Sequence, residues 1–502
     1  MKVEESKNFF TIGYGDYRWI EVIPGTLIWA TFILAIIMSF VAPIVAIIFI
    51  IVFDLYWLFR VSYFITYMIL AWRRYRRETK RNWWQRVQKV PGRDRIYHFV
   101  FLPFVKEGIE IVRETVRAIA EAEYPNDRIV IVLGGEARVS DHAQAIADQI
   151  KQEFSNTFAR IIATQHPADL PDEIIGKGSN MNWMGREVKK VIDNEMKIPY
   201  EDIVVTAFDV DTIMHPQYLA YLTYQYLTVP EPTRTSYQPV TLLTNNIWDA
   251  PAPVRVSAFG TTFWLLTELA RPNRLWTFSS HSMPWQMLVD VGFWQRNIVS
   301  EDSRIFLQGL ITYHGEYRVE PMYIPVSMDT VTGKNYVDNM KALYKQQRRW
   351  AWGVEHLPLM VKAFMGDKLI PWRVKLKYLF NQIEGMYTWG TAPILIFIMG
   401  WLPLFVISQS SSTSALVQNA PFTLQWIMRF AMVGIFASGI LSLAFLPRRP
   451  EKVKPHTWAI MLLQWALLPI TFIVFGAFPA IDAQTRLMLG KYLGFNVTQK
   501  KR

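Results

Sequence analysis

The chain has 502 residues, of which 51% are hydrophobic and 15% aromatic, and its formal net charge is +11. It contains no cysteine, which excludes a disulfide framework and a thiolate metal site. The positive excess suits anionic lipid headgroups or an anionic substrate. The sequence has neither zinc-finger spacing nor a basic helix-turn-helix pattern, which argues against nucleic acid as a partner.

The first recognisable string is TIGYGD at residues 11–16, which is close to the carbonyl-lined selectivity filter of potassium channels. A filter lies between two membrane spans and behind a pore helix, whereas this string precedes the first apolar run. We therefore interpret residues 1–24 as a tail. Two crossings by the following hairpin place this tail on the same, cytoplasmic side as the basic segment 73–94. An ion channel or transporter remains a remote alternative.

Residues 25–72 contain two long apolar runs divided at Pro43 and predict a transmembrane helical hairpin. Asp54 is an unusual acid at membrane depth, which we interpret as paired inside the bundle or close to a helix end. Residues 73–94 are rich in Lys and Arg. Such segments favour the cytoplasmic side, so we expect the following domain to be cytoplasmic.

Residues 95–353 alternate short β-rich runs, such as RIVIVL and DIVVTAF, with helical segments. This alternation predicts an α/β domain with a mostly parallel, Rossmann-like sheet. Ligands bind such sheets at the carboxyl ends of the strands.

The chain becomes amphipathic over residues 354–384, where we expect interface helices, and apolar again over residues 385–480. The second stretch contains two clear spans and a segment, 457–480, that is interrupted by prolines. A full crossing by this segment would place the basic tail 481–502 outside the cell. We therefore expect 457–480 to be a broken, interfacial or re-entrant element.

Three short motifs carry candidate chemistry. In TAFDVDT, Asp209 and Asp211 directly follow a predicted strand, where two carboxylates can hold a divalent cation or merely form a polar turn. In IVSEDSRIF, Glu301 and Asp302 begin a predicted helix. They stabilise its first turn electrostatically, and one of them could also deprotonate an acceptor hydroxyl.

The third motif is YKQQRRWAWG, in which Gln346, Arg349 and Trp350 are spaced to share one helix face. An amide, a guanidinium and an indole together could bind a sugar and a leaving diphosphate. The simpler interpretation is an anchor at the membrane interface, where Lys, Arg and Trp collect because of their solvation.

Taken in this order before membrane helices, the three motifs resemble those of membrane-integrated members of glycosyltransferase family 2. This family includes the cellulose, chitin and hyaluronan synthases, which have a GT-A catalytic domain between transmembrane helices. Further segments are similar to the family: FLPFVKEG at 101–108, GKGSNMNW at 176–183, SSHSMPWQ at 279–286, and FNVTQK at 495–500, which resembles the gating loop of cellulose synthases.

The resemblance implies an inverting hexosyltransferase that uses a nucleoside-diphosphate sugar, with UDP as the expected nucleotide, and Mg²⁺ or Mn²⁺ held by Asp209 and Asp211. It implies catalytic roles for Asp302, as general base, and Glu301. The implied acceptor residues are Trp350 and His281. The implied nucleotide-sugar residues are Lys177, Asn180, Asp209, Gln346, Arg349, Thr498 and Lys500.

The resemblance also implies a multi-pass protein of the cell membrane, in contact with lipids, with its catalytic domain in the cytoplasm. One departure concerns the nucleotide: VLGGEAR has Gly134 and Gly135 where the family usually has an acid, and Glu136 is the nearest substitute.

The acceptor that the resemblance implies is a saccharide or a lipid. The alternative to polymer synthesis is therefore transfer of a single sugar to a lipid, as in the ceramide glucosyltransferases that share the Gln-x-x-Arg-Trp element.

Overall fold

The protein combines long apolar helices with one α/β unit. A computed structural model describes residues 13–408 and 415–494. The helices in these ranges are α1 (Arg18–Val41), α2 (Pro43–Glu78), α3 (Trp83–Val87), α4 (Ile109–Ala120), α5 (Ser140–Glu153), α6 (Lys177–Val191), α7 (Tyr218–Thr228), α8 (Ala252–Leu269), α9 (Trp285–Val291), α10 (Glu301–Thr312), α11 (Tyr336–Ala351), α12 (His356–Gly366), α13 (Trp372–Met399), α14 (Leu402–Ser408), α15 (Ala415–Leu443), α16 (Thr457–Leu463), α17 (Leu468–Phe472) and α18 (Phe478–Met488). The strands are β1 (Tyr97–Pro103), β2 (Ile129–Glu136), β3 (Arg160–His166), β4 (Ile203–Ala207), β5 (Ile213–Met214), β6 (Thr235–Leu243), β7 (His281–Pro284) and β8 (Arg318–Met328).

Within the described ranges, five helical runs are long and apolar enough to cross a membrane. They are α1, α2, the run Trp372–Ser408, α15 and the run Thr457–Met488. Many of their large apolar side chains are exposed, including Leu34 and Phe59. Exposed apolar helix surfaces of this length suit a lipid environment.

The N-terminal hairpin is longer than residues 25–72, because α1 begins at Arg18 and α2 continues to Glu78. Gly25 therefore lies inside a helix, where α1 crosses α18 closely. A Cβ atom at Gly25 would lie 2.6 Å from the Cβ of Met488, so only glycine permits this approach. Asp54 is buried in the body of α2, away from the helix ends.

The described strands form one mixed sheet in the order β3-β2-β1-β4-β7-β6-β8-β5. The half built from β1, β2, β3 and β4 is parallel, as the sequence predicts. The other half is mixed: β6 is parallel to β8, whereas β7 is antiparallel to β4 and β6, and β5 is antiparallel to β8, so the sheet is mostly but not wholly parallel. Strands β7 and β5 are too short to give a recognisable apolar run in the sequence.

The α/β unit packs directly against the membrane-type helices. Met68 and Ala71, near the end of α2, belong to the same buried cluster as Phe99 and Phe101 of β1. Arg74 donates a hydrogen bond to the hydroxyl of Tyr323 in β8 at 3.3 Å. Shared apolar burial therefore fixes the unit relative to α2.

The last apolar run, Thr457–Met488, is continuously helical, with a 3₁₀ turn before Pro469 and a π turn before Pro479. It contacts the α/β unit at several points along its length, in addition to its packing against α1. Trp458 packs edge-on against Trp248, Gln464 accepts a hydrogen bond from Arg255 at 2.7 Å, and Asp482 pairs with Arg348 at 2.8 Å. Length and composition make this run a candidate span, and its interfacial or re-entrant course stays a prediction.

The end of β2 explains why glycines stand where the resemblance led us to expect acids. A Cβ at Gly134 would lie 2.2 Å from Sδ and 2.8 Å from Cγ of Met184, and one at Gly135 would lie 2.6 Å from the Cβ of Ala143. Helices α6 and α5 thus approach the strand too closely for any side chain.

Gly134→Ala should destabilise the protein by about 1–3 kcal/mol, because the new methyl group overpacks the α6–β2 contact. Chemical unfolding in detergent measures the change. The matched control is Gly385→Ala in α13, where a Cβ has no neighbour within 4 Å. We expect that variant to be neutral or slightly stabilised. Equal stability of both variants would contradict the packing at Gly134.

Candidate functional site

Asp209 opens the candidate site at the carboxyl end of β4, two residues after the strand ends. Its Oδ1 lies 2.6 Å from Nζ of Lys177, and its Oδ2 accepts a hydrogen bond from the hydroxyl of Ser279 at 2.8 Å. About a quarter of the side chain is exposed (24%), so the carboxylate is accessible to a ligand. Ser279 begins the segment SSHSMPWQ that resembles the family, but no role was predicted for Ser279 itself.

Asp211 lies deeper than Asp209. It is fully buried, and its Oδ2 accepts the backbone N–H of Asp329, directly after β8, at 3.0 Å. Asn245 donates to the backbone carbonyl of Asp211 and to Oδ1 of Asp329, both at 3.1 Å. The two acids of the Asp-x-Asp motif therefore differ in environment, and the structure ties Asp211 to the end of β8.

Lys177 joins segments that are distant in sequence. It is the first residue of α6, and its Nζ lies 2.9 Å and 3.2 Å from the two carboxylate oxygens of Asp302, in addition to its contact with Asp209. Burial alone would lower the pKa of Lys177, but the carboxylates of Asp209 and Asp302 outweigh it and raise that pKa. The side chain is therefore a permanent cation between the two motifs.

Glu301 and Asp302 begin α10, and their environments differ. The side chain of Glu301 is 6% exposed and that of Asp302 is 23% exposed. Burial, followed by the neighbouring Asp302 carboxylate, raises the pKa of Glu301 to about 8. Glu301 is therefore protonated at neutral pH. Gly178 permits this packing, because a Cβ there would lie 3.0 Å from the Cβ of Glu301.

His281 lies on β7, opposite Ala207 of β4, and is fully buried beside Asp302. Its Nδ1 is 2.7 Å from the carbonyl of Phe278 and 4.0 Å from Oδ1 of Asp302. Burial lowers its pKa to about 4, so the imidazole is neutral at physiological pH. This position is beneath Asp302 and away from solvent, and contact with an acceptor stays a prediction.

Helix α11 carries the Gln-x-x-Arg-Trp motif, and its residues make different contacts. Arg349 is close enough to Glu301 for its charge to lower the pKa of that acid, partly offsetting the effect of burial. Trp350 is half-buried against the central core, and Gln346 is also half-buried. The intervening Arg348 pairs with Asp482 of α18 at 2.8 Å, so the same helix also connects to the C-terminal run.

Glu136 and Asn180 meet at the end of β2: Glu136 is the last residue of the strand, and Asn180 lies on α6, three residues after Lys177. Asn180 donates to the carbonyl of Gly134 at 3.0 Å. Glu136 is buried between Arg138, at 2.9 Å, and His166 of β3, at 3.2 Å. Burial would lower the pKa of His166, but Glu136 and a second carboxylate raise it.

That second carboxylate belongs to Glu173, whose side chain lies 2.8 Å from Nε2 of His166 and 2.9 Å from Arg296. Sequence reasoning missed His166 and Glu173, although a histidine at the end of β3 was a usable signal.

Of the predicted site residues, the structure brings together Lys177, Asp209, Glu301, Asp302 and Arg349. Thr498 and Lys500 lie outside the described residues.

The described residues include no group of three or more His, Asp or Glu side chains arranged to hold a metal ion. The donor set nevertheless fits a divalent cation of the Mg²⁺ type. Such ions take one or two protein carboxylates and complete their coordination with water and substrate phosphates. Asp209 offers a partly exposed carboxylate of this kind.

No protein-family model matches the chain, and no curated protein matches it. Among solved structures, it is similar to the mannosyltransferase PcManGT from Pyrobaculum calidifontis in complex with GDP-Man and Mn²⁺. The identity is 14%, the match covers 77% of this chain and 99% of that chain, and the TM-score is 0.43. A second similar structure is S. aureus TarS 1–349 in complex with UDP-GlcNAc, with 10% identity, coverage of 80% and 94%, and a TM-score of 0.35. The function of this chain is inferred from its own residues.

Glu301→Gln should change how stability depends on pH. The pKa of Glu301 is raised in the folded state, so the folded protein holds a proton that the unfolded chain releases above its ordinary pKa. Wild-type stability must then fall as pH rises towards 8, and the variant lacks this loss. Between pH 6 and pH 9, the free energy of unfolding of Glu301→Gln should gain about 2 kcal/mol relative to wild type. Parallel pH dependences in unfolding experiments would contradict the raised pKa.

Proposed function

We propose that the protein is a membrane-integrated, inverting glycosyltransferase that transfers a sugar from a nucleoside-diphosphate sugar to a hydroxyl group of a saccharide or lipid. The observation that supports this most strongly is the contact of the Lys177 ammonium with both Asp209 and Asp302. It joins the Asp-x-Asp and Glu-Asp motifs at one edge of the sheet, where α/β proteins bind ligands. Membership of glycosyltransferase family 2, with a GT-A fold, is part of the proposal.

The donor diphosphate lies, in this proposal, beside Lys177 and Arg349, whose cations offset the negative charge that grows on the leaving group. A divalent cation, Mg²⁺ or Mn²⁺, held by Asp209 and Asp211 would supply further Lewis-acid stabilisation of that charge. Ser279 orients the Asp209 carboxylate through its hydrogen bond.

Asp302 is the general base in this mechanism. It takes the proton of the acceptor hydroxyl while the acceptor oxygen bonds to the anomeric carbon and the bond from that carbon to the diphosphate breaks. Glu301 is a weaker candidate, because a carboxyl with a pKa of about 8 already carries a proton at neutral pH. Its role is to hold a neutral acid next to Asp302, so that two negative charges do not meet there.

The remaining residues bind substrate in this proposal. Trp350 stacks on the acceptor sugar, with His281 on the acceptor side, and Gln346 assists the donor. Asn180, Glu136, Thr498 and Lys500 complete the nucleotide-sugar site, as the family resemblance implies. UDP is the nucleotide we expect.

The α/β unit is cytoplasmic in this proposal. The basic C-terminal end of α2 contacts the unit through Arg74, and the basic connector before α16 contacts it through Lys452, whose Nζ lies 3.1 Å from Asp249. Two Lys/Arg-rich segments therefore lie on the same side as the unit. The positive-inside tendency assigns that side to the cytoplasm of a cell membrane.

The activity can be tested with a panel of nucleotide sugars, each incubated with purified protein and Mg²⁺ or Mn²⁺. We expect release of nucleoside diphosphate with at least one donor and loss of that release when the cation is chelated. No release with any UDP- or GDP-sugar would contradict the proposal. The size of a labelled product then separates single transfer to a lipid from polymer synthesis. Ion flux without sugar transfer would favour the channel alternative.

Asp302→Asn should reduce transfer by at least about a thousandfold while donor binding stays nearly unchanged, because the amide cannot accept the proton. Product formation and binding of a labelled nucleotide measure the two effects. Asp148→Asn, an exposed substitution on α5, is the control and should behave as wild type. If Asp302→Asn retains activity, the general base is another residue.

A further inference from the structure

Glu355 fixes the turn that precedes the Glu-Asp motif. It ends the 3₁₀ helix Trp352–Glu355, which directly follows α11, and it is buried. Its Oε1 accepts the backbone N–H groups of Val299, at 3.1 Å, and Ser300, at 2.7 Å. The next residue is Glu301, the first of α10. One carboxylate therefore sets the position from which Glu301 and Asp302 start.

The other oxygen of Glu355 is held by the N-terminal segment. Oε2 accepts the hydroxyl of Tyr14 and the indole N–H of Trp352, the latter at 3.0 Å. Burial, followed by the Glu355 carboxylate, raises the pKa of Tyr14, so the hydroxyl remains a hydrogen-bond donor at physiological pH. A buried carboxylate is costly without such donors, so Tyr14 contributes to keeping Glu355 in place.

Tyr14 also contacts the end of the C-terminal run. Its ring stacks on Tyr492, with centroids 4.4 Å apart and planes 11° apart. The Tyr492 hydroxyl donates to Glu21 at 2.9 Å, and Arg18 donates to the carbonyl of Leu487 at 2.6 Å. Residues 13–21 thus lie between Glu355 and the end of α18, and make specific polar contacts with both.

We propose that Gly13–Asp16, centred on Tyr14, is a positioning strap that holds the turn Val299–Asp302 through Glu355 and couples that turn to the C-terminal end of α18. Tyr14 is a positioning residue, because it acts on the catalytic acids only through Glu355. The effect on sugar transfer rests on the proposed function, whereas the effect on the turn does not.

The structural part is tested by hydrogen–deuterium exchange of the full-length protein in detergent, comparing wild type with Tyr14→Phe. The substitution keeps the ring that stacks on Tyr492 and removes the hydroxyl that Glu355 accepts. We expect amide exchange at Val299 and Ser300 to rise about fivefold or more, with exchange in β6 unchanged. The matched control is Tyr336→Phe on α11, since Tyr336 is 59% exposed.

The kinetic part compares kcat and KM in the nucleotide-sugar assay. Tyr14→Phe should lower kcat about tenfold and change the donor KM less than about twofold, because a shifted Asp302 affects proton transfer more than donor binding. Tyr336→Phe should leave both constants unchanged.

The outcomes are distinguishable. Unchanged exchange at Val299 and Ser300 in Tyr14→Phe overturns the strap, and so does a rise spread equally over β6, which indicates general unfolding. A local rise in an enzyme whose kcat and KM do not change overturns the positioning role. A local rise in a protein that is inactive with every donor supports the strap and overturns the proposed function.

Discussion

The arrangement of the site depends on the ammonium group of Lys177 and the carboxylates that surround it. Carboxylates this close repel one another unless a cation or a proton compensates. Lys177 supplies the cation, with contacts to Asp209 and Asp302, and Glu301 holds a proton because burial raises its pKa. Asp302 is the more exposed acid of the pair that begins α10. In the proposed mechanism, this more exposed carboxylate is the general base.

Much of this site could be predicted from the sequence because its residues occur in short motifs at the ends of predictable elements. The apolar run of β4 leads directly to Asp209, and the Glu-Asp pair begins α10, so both positions could be inferred without coordinates. Their common contact with Lys177 could not, because that side chain reaches both from α6. Asp211 illustrates the same limit. Its motif suggests a ligand equivalent to Asp209, but packing against the end of β8 buries it completely.

The fold shows a similar division. Long apolar helices and the parallel half of the sheet have strong periodic patterns, which made their types predictable. The antiparallel strand β7 and the two-residue β5 are short and depend on pairing with neighbouring strands. Their own sequences therefore contain no pattern that predicts a strand. The start of α1 at Arg18 was also missed. Pro24 and Gly25 look like a helix boundary, yet contact with α18 favours helix there and makes the glycine necessary.

The string TIGYGD illustrates how tertiary context changes the meaning of a motif. In a channel filter, the glycines expose backbone carbonyls to an ion. In this protein, the contacts are made by Tyr14, whose hydroxyl donates to Glu355 and whose ring stacks on Tyr492. Its contact with Glu355 connects the first described residues to the turn Val299–Asp302. Arg348 connects the Gln-x-x-Arg-Trp helix to α18 through Asp482 in the same region. The C-terminal run therefore contacts both the segment that holds the turn before Asp302, through Leu487 and Tyr492, and the helix that carries Arg349, through Asp482.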